Sequence, residues 1–173
     1  MARAFPTPRF LAPLGMTNAM EQKVRVRMPL FDRLVDRSRL LHADVTPVRT
    51  LDRGGVRKSV QRELEQLFNT RCPIPSHRLG TRERTVIDYG IPDFSTFRAR
   101  NPDDQKKIAA ILRKAIEAYE PRLTDVKVTI EPIAGDDFML AGTIEATLII
   151  DNTREAVLFE TVLQMKEGSV DVR

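Results

Sequence analysis

Two stretches of the chain have apolar residues at the spacing of an amphipathic helix. In the first, from about residue 56 to residue 69, the apolar positions share one face: Val56, Val60, Leu64, Leu67 and Phe68. The second begins with Pro102 behind the capping residue Asn101. It ends near Tyr119, because Pro121 disfavours helical backbone in the residue before it. These patterns predict two well-defined helices.

The last third of the chain alternates apolar and polar residues, which is typical of half-buried β-strands. The alternation predicts strands over 125–133, 138–150 and 156–165, and a last short strand over 169–173. Residues 151–154 supply the polar connection of a hairpin between the two longest strands. Helices followed by an antiparallel meander predict an α+β fold, with N-terminal helices packed on an antiparallel C-terminal β-sheet.

The segment before the first long helix sets the expected domain boundary. Residues 1–28 have little periodicity and contain three prolines, which predicts a flexible or partner-ordered arm. Residues 29–173 are then a single α+β domain, starting with a short helix from Pro29 to about Leu41. The following loop, 42–55, closes with two glycines that we interpret as a flexible joint.

The region between the two long helices has few regular signals. Pro73 ends the first helix, and Cys72 before it is interpreted as a buried structural thiol. Residues 86–89 are predicted to form a short extended piece, and residues 90–93 a turn.

Charge is distributed unevenly along the chain. Its 173 residues carry 28 Lys and Arg against 24 Asp and Glu, a formal net charge of +4. Residues 1–58 have a net charge of +7, whereas residues 125–173 have −6. The basic front is either a solvated surface or a nucleic-acid contact, and the pattern alone leaves both open. The two ends favour different partners.

The composition is that of a globular domain in a reducing compartment. A hydrophobic content of 42% supports a core, and a single cysteine excludes an internal disulfide framework. No apolar run approaches the roughly 20 residues of a membrane-spanning helix, and no apolar segment of the kind found in secretion signals follows the basic N-terminus. We therefore expect a cytoplasmic protein.

The reactive residues indicate no cofactor, no metal site and no catalytic group. The two histidines, His42 and His77, lack the carboxylate or thiolate spacing of a metal site. A muramidase would need two carboxylates, for which the candidates are Glu63, Glu65, Glu120 and Glu131. Glu63 and Glu65 stand two apart on a helix and do not share a face. Glu120 is separated from Arg122 only by Pro121, which predicts an ion pair, internal or with a partner.

Four pieces in this order resemble one known family. They are Leu30-Phe31-Asp32-Arg33-Leu34, residues 59–71, Asp88-Tyr89-Gly90-Ile91-Pro92-Asp93, and Glu120-Pro121-Arg122 before the alternating strands. The set resembles TssE, the baseplate subunit of type VI secretion systems, over roughly residues 28–165. That family is similar to the wedge protein of contractile phage tail baseplates, often labelled lysozyme-like.

The resemblance implies a non-enzymatic structural protein in the bacterial cytoplasm, within a membrane-docked baseplate. Members link the baseplate wedge to the contractile sheath and prime its assembly. The implied partners are the wedge subunits TssF and TssG, the adaptor TssK, and the sheath subunits TssB and TssC. In the family, the motif that matches Glu120, Pro121 and Arg122 is associated with docking on the wedge.

The predicted sheet also suggests how a sheath subunit binds. A strand of the partner can add to a free sheet edge through main-chain hydrogen bonds, with little demand on sequence. The candidate edge residues are Val157, Phe159, Val162 and Leu163. Two alternatives remain open, namely a muramidase that uses carboxylates and a nucleic-acid-binding module that uses the basic front.

Overall fold

Helices precede strands along the chain, as the sequence pattern predicts. The computed structural model describes residues 26–27, 50–79, 84–150 and 153–173. The elements are β1 (Val26–Arg27), β2 (Thr50–Leu51), α1 (Arg53–Asn69), α2 (Ser76–Leu79), α3 (Pro102–Tyr119), β3 (Leu123–Pro132), β4 (Met139–Ile150), β5 (Thr153–Gln164) and β6 (Ser169–Val172). The α+β prediction is confirmed. The short helix predicted after Pro29 lies outside the described residues, as does His42.

Helix α1 begins earlier than its apolar pattern indicates. The Asp52 carboxylate caps it and accepts a hydrogen bond from the Gly55 amide at 2.7 Å. Gly54 and Gly55 therefore lie in the first turn of the helix, so their interpretation as a joint at the end of a loop is wrong. Val26–Arg27 pairs with Thr50–Leu51, so the end of the predicted arm is a paired strand.

Helix α3 matches its prediction at both ends. The Asn101 side chain accepts from the Asp103 amide at 3.1 Å, and Pro102 occupies the first turn. The helix ends at Tyr119, two residues before Pro121. Its apolar stripe is buried: Ile108, Leu112, Ala115 and Ile116. Neither long helix, within the residues described here, is apolar over a length that could cross a membrane.

The four C-terminal strands form one antiparallel sheet in the order β3-β4-β5-β6. Alternate side chains on one face are buried beneath the helices, with α3 packed against β3 and α1 against β6. Across β4 and β5, Leu140 lies opposite Leu163 and Ile144 opposite Phe159, and all four side chains are buried. The core therefore lies between the helix layer and one face of the sheet.

An irregularity near the start of β3 has no counterpart in the prediction. The pairing with β4 shifts register between Thr124 and Lys127, so the strand holds one extra residue there. Asp125 takes a positive φ of 55°, which aspartate tolerates better than most residues. The bulge lies just after the turn that joins α3 to β3.

The segment predicted to be extended around residue 86 is a short 3₁₀ turn, Val86–Asp88, so that prediction is wrong. The Asp88 carboxylate accepts from both the amide and the hydroxyl of Thr85, at 3.0 and 3.1 Å, and these bonds close the turn. The backbone then bends at Gly90, where φ is 106° and a Cβ would lie 2.3 Å from the Thr70 carbonyl oxygen. The close approach lets Ile91 bridge to Arg71.

Candidate docking site

The connection from α3 to β3 is a tight turn built by the Glu120-Pro121-Arg122 motif. The Glu120 amide completes the helix by donating to the Ile116 carbonyl at 2.8 Å. The Leu123 amide then donates to the Glu120 carbonyl at 3.1 Å, which makes Pro121 the second residue of a β-turn. Because this turn reverses the chain, the side chains of Glu120 and Arg122 lie on the same side of Pro121.

Arg122 and Glu120 form a bidentate ion pair. Arg122 Nε donates to Glu120 Oε1 and Arg122 Nη2 donates to Glu120 Oε2, each at 2.7 Å. This parallel geometry is the strongest arrangement of guanidinium and carboxylate. The Glu120 side chain is only 3% exposed, whereas the Arg122 side chain is 24% exposed. The predicted ion pair is therefore internal to the fold.

Helix α1 contributes a second carboxylate to Arg122. Glu63 Oε2 lies 2.9 Å from Arg122 Nη2, and the Glu63 side chain is 40% exposed. The buried Ser59 hydroxyl completes the cluster by accepting from Arg122 Nη1 at 3.4 Å. Together, Ser59, Glu63, Glu120 and Arg122 form what we call the arginine cluster. The cluster ties the α3–β3 turn to α1.

The sequence alone does not predict the contact between Glu63 and Arg122. The only sequence signal for Glu63 is local: Ser59 and Glu63 are four residues apart, so they share a face of α1 beside the apolar stripe. The partner lies 59 positions later in the chain, and no spacing rule reaches that far. The distance between the two residues is set by the packing of α1 and α3 on the sheet.

The electrostatics of the cluster reflect two carboxylates around one cation. Burial raises the pKa of Glu63, the Arg122 charge lowers it, and the Glu120 charge raises it again, so that the net shift is upward. For Arg122, burial alone lowers the pKa, but hydrogen bonds and charges from Glu120 and Glu63 outweigh it and raise the value. Burial followed by the charges of Glu63 and Glu120 raises the pKa of Tyr89, which lies near the cluster.

The arginine cluster is suited to holding elements together and to presenting a charged rim. Both oxygens of Glu120 accept hydrogen bonds from the guanidinium, so its carboxylate is committed to the internal pair. The exposed parts of Arg122 and Glu63 lie at the surface beside Pro121, which is itself exposed. A partner can therefore reach the rim of the cluster without breaking the inner pair.

The second predicted site, the sheet edge on β5, is placed differently from the prediction. Val162 and Leu163 pair with Ala141 and Leu140 of β4 on one side and with Asp171 and Val170 of β6 on the other. They lie inside the sheet, so their assignment to an edge is wrong. The error arises because β6, predicted only as a short final strand, covers the C-terminal part of β5.

The N-terminal half of β5 has no partner strand on that side among the described residues. Pairing with β6 stops at Glu160, which exchanges two backbone hydrogen bonds with Arg173. Val157 and Phe159 lie in or beside the uncovered half, but their side chains are buried in the core. Since backbone direction alternates along a strand, the amides and carbonyls that face the open side belong to Arg154, Ala156 and Leu158.

One of these open carbonyls is occupied by a side chain of α1. Arg57 Nη2 donates to the Leu158 carbonyl oxygen at 2.9 Å. Its guanidinium carbon also lies 5.7 Å from the centre of the Phe159 ring. Arg57 is exposed and covers the edge without adding a strand. We call residues 153–158 the open edge of β5.

The remaining sequence candidates contribute no further site. Cys72 is buried, as predicted, and its thiol lies 3.9 Å from the Ile74 carbonyl oxygen. In the described parts of the chain, no three His, Cys, Asp or Glu side chains are grouped as metal ligands. Glu65 and Glu131 are exposed, and the side chain of His77 lies outside the described atoms.

A family model described as baseplate wedge protein gp25 matches residues 55–153, which run from the first turn of α1 to the start of β5 and contain the arginine cluster. No curated protein sequence matches the chain. A solved chain from "The baseplate complex from the type VI secretion system" is 20% identical over 63% of this chain and 94% of its own length, with a TM-score of 0.46.

The family match confirms the coarse prediction made from the sequence. It spans more than half of the 173 residues. It covers three of the four motif pieces that resemble TssE, all except the one at residues 30–34. The chain belongs to the baseplate wedge protein gp25 family, a phage-tail-like family of structural baseplate components.

Proposed function

We propose that this protein is a baseplate component of a bacterial type VI secretion machine, where it links the wedge to the contractile sheath and primes sheath assembly. The observation that carries the proposal is the family match over residues 55–153. The fold supports it by offering two separate features for two neighbours, the arginine cluster at the α3–β3 turn and the open edge of β5. The protein acts in the cytoplasm, at a baseplate docked to the membrane.

On the wedge side, the proposed docking motif is Glu120-Pro121-Arg122. The inner pair fixes the guanidinium, and the exposed rim of Arg122 and Glu63 supplies the contact. A guanidinium already held in place loses little conformational freedom when a partner carboxylate approaches. The proposed neighbours on this side are the wedge subunits TssF and TssG and the adaptor TssK.

On the sheath side, the proposed contact is the open edge of β5. A strand from a sheath subunit would pair with the backbone of Arg154, Ala156 and Leu158 and continue the line of β6. Arg57 would have to leave the Leu158 carbonyl for the strand to bind there. The proposed partners on this side are TssB and TssC.

Deletion of the gene in the native bacterium tests this function. The deletion strain is expected to lose secretion and the assembly of a fluorescently labelled sheath. Both should return when the wild-type chain is supplied from a plasmid. Normal sheath assembly in the deletion strain would contradict the proposal.

Neither alternative function gains a supporting observation. A muramidase requires two carboxylates across a cleft, whereas the two that meet here, Glu63 and Glu120, share one guanidinium between them. The nucleic-acid alternative depends on the basic residues 1–58, most of which lie outside the described residues.

A further inference from the structure

Two adjacent aliphatic side chains project into solvent from the 3₁₀ turn. Val86 is 88% exposed and Ile87 is 76% exposed, more than any other large hydrophobic residue in the described ranges. Single exposed aliphatic residues are ordinary, but a contiguous and strongly exposed pair indicates an interaction surface. We call this pair the Val86–Ile87 knob.

Hydrogen bonds and a contact between two tyrosine rings fix the turn that carries the knob. The fully buried Asp88 closes the turn through its two hydrogen bonds from Thr85. The Tyr119 hydroxyl donates to the Thr85 carbonyl at 2.8 Å, and the Tyr119 ring packs edge-to-face on Tyr89 at 5.1 Å. A turn fixed by a buried carboxylate and by a helix-end tyrosine loses little entropy on binding.

A cation lies beside the knob, and one of its guanidinium nitrogens has no hydrogen-bond acceptor. Arg84 lies two residues before Val86, with its guanidinium carbon 5.9 Å from the centre of the Tyr119 ring. Its Nη1 is buried and has no hydrogen-bond partner in the structure. The side chain as a whole is partly exposed, so its charge can attract a carboxylate from outside the chain. The knob and Arg84 together favour a partner that is apolar at its centre and acidic at its rim.

The knob is attached to the same helix end as the arginine cluster. Tyr119, which donates a hydrogen bond to the Thr85 carbonyl beside the knob, directly precedes Glu120 in the chain. Both features therefore lie at the C-terminal end of α3.

We propose that the Val86–Ile87 knob inserts into an aliphatic pocket, bordered by a carboxylate, on a neighbouring protein of the baseplate wedge. The inference rests on the proposed function for the identity of the partner. A protein is favoured over a lipid surface because the knob consists of only two side chains on a hydrogen-bonded turn, with the single cation Arg84 beside them. Shape and one charge define a pocket, whereas a bilayer contact gains from a broad basic and apolar face.

The test is a binding titration with purified TssF and TssG as the probe. Wild-type protein is compared with Val86→Ser/Ile87→Ser, with Arg84→Ala, and with the control Phe138→Ser. Phe138 is a large apolar residue with 49% exposure, just before β4. We expect the double variant to lose at least about tenfold in affinity, since two aliphatic side chains that become buried on binding are removed. Arg84→Ala should weaken binding, and Phe138→Ser should not.

Each result decides the inference. Wild-type affinity in the double variant, with binding by the wild-type protein intact, would overturn the knob and leave the proposed function standing. No binding by the wild-type protein would overturn both. Thermal unfolding of each variant close to wild type is expected, because Val86 and Ile87 contribute little to the core. Co-sedimentation of wild-type protein with phosphatidylglycerol vesicles, lost in the double variant, would overturn the protein partner in favour of a membrane.

Discussion

Arg122 donates two parallel hydrogen bonds of 2.7 Å to the buried carboxylate of Glu120, and only Pro121 separates the two residues along the chain. The same Nη2 atom reaches Glu63 on α1 at 2.9 Å. A motif that sequence resemblance associates with docking on a partner is thus engaged inside its own chain. Its contribution to folding and its contribution to binding have to be separated by experiment.

Replacement of Arg122 by alanine should destabilise the fold. Glu120 would remain buried without its counter-charge, at a cost of about 3 kcal/mol. For a chain of this size that corresponds to a decrease in melting temperature of about 6–12 °C. Urea and thermal unfolding measure both quantities.

Arg113→Ala is the matched control for this prediction. Arg113 pairs with Glu117 on the exposed face of α3, where both side chains are about half exposed. Its loss should cost about 0–0.5 kcal/mol. An Arg122→Ala protein with wild-type stability but without wedge binding would show that Arg122 acts only at the interface.

Glu63→Gln should change how stability depends on pH. The pKa of Glu63 is raised above 4.5, chiefly by burial. Its protonated form is therefore favoured in the folded state, and the stabilising contribution of this group is fully present below pH 4.5 and lost as the pH rises through the folded pKa. The free energy of unfolding of the wild type, relative to the variant, should increase as the pH falls from 7 to 4.5. A pH-independent difference in urea titrations would contradict this.

Ala156→Pro should block strand addition at the open edge of β5. The Ala156 amide faces the open side, so proline removes a donor that an incoming strand needs while leaving the ladder to β4 intact. Sheath assembly should fail although thermal unfolding remains close to wild type. Ala156→Val keeps the amide and serves as the control. Normal sheath assembly in a folded Ala156→Pro protein would exclude this edge.

Arg57→Ala should leave sheath binding intact or strengthen it. Arg57 donates a hydrogen bond to the Leu158 carbonyl oxygen, and an incoming strand must displace the Arg57 side chain. Its removal sacrifices one exposed hydrogen bond, worth about 0.5–1.5 kcal/mol, and frees the acceptor. The affinity for purified TssB–TssC measures the effect. Weaker binding without Arg57 would indicate that this side chain itself contacts the sheath.

The regular elements were predictable because their signals are local. Helix α3 carries its own cap at Asn101, its first-turn proline and its stop at Pro121, and the structure follows all three. The strands from Leu123 to Val172 follow their alternation within a few residues. The ion pair between Glu120 and Arg122 was also predictable from the sequence, because only one residue separates the partners.

The features that were missed depend on tertiary packing. Glu63 reaches Arg122 only because α1 and α3 lie side by side on the sheet. Val162 is covered because β6 returns along β5, and alternation alone cannot show which strand ends outermost. The 3₁₀ turn at Val86 contains residues that favour strands, and the buried Asp88 carboxylate overrides that preference.

The central claim is membership of a type VI baseplate, and affinity purification of the tagged protein from its native bacterium tests it most directly. Mass spectrometry of the bound fraction should identify TssF, TssG or TssK together with the sheath subunits TssB or TssC. Recovery of intact, folded protein without any of these subunits, or with peptidoglycan fragments or nucleic acid in their place, would contradict the claim.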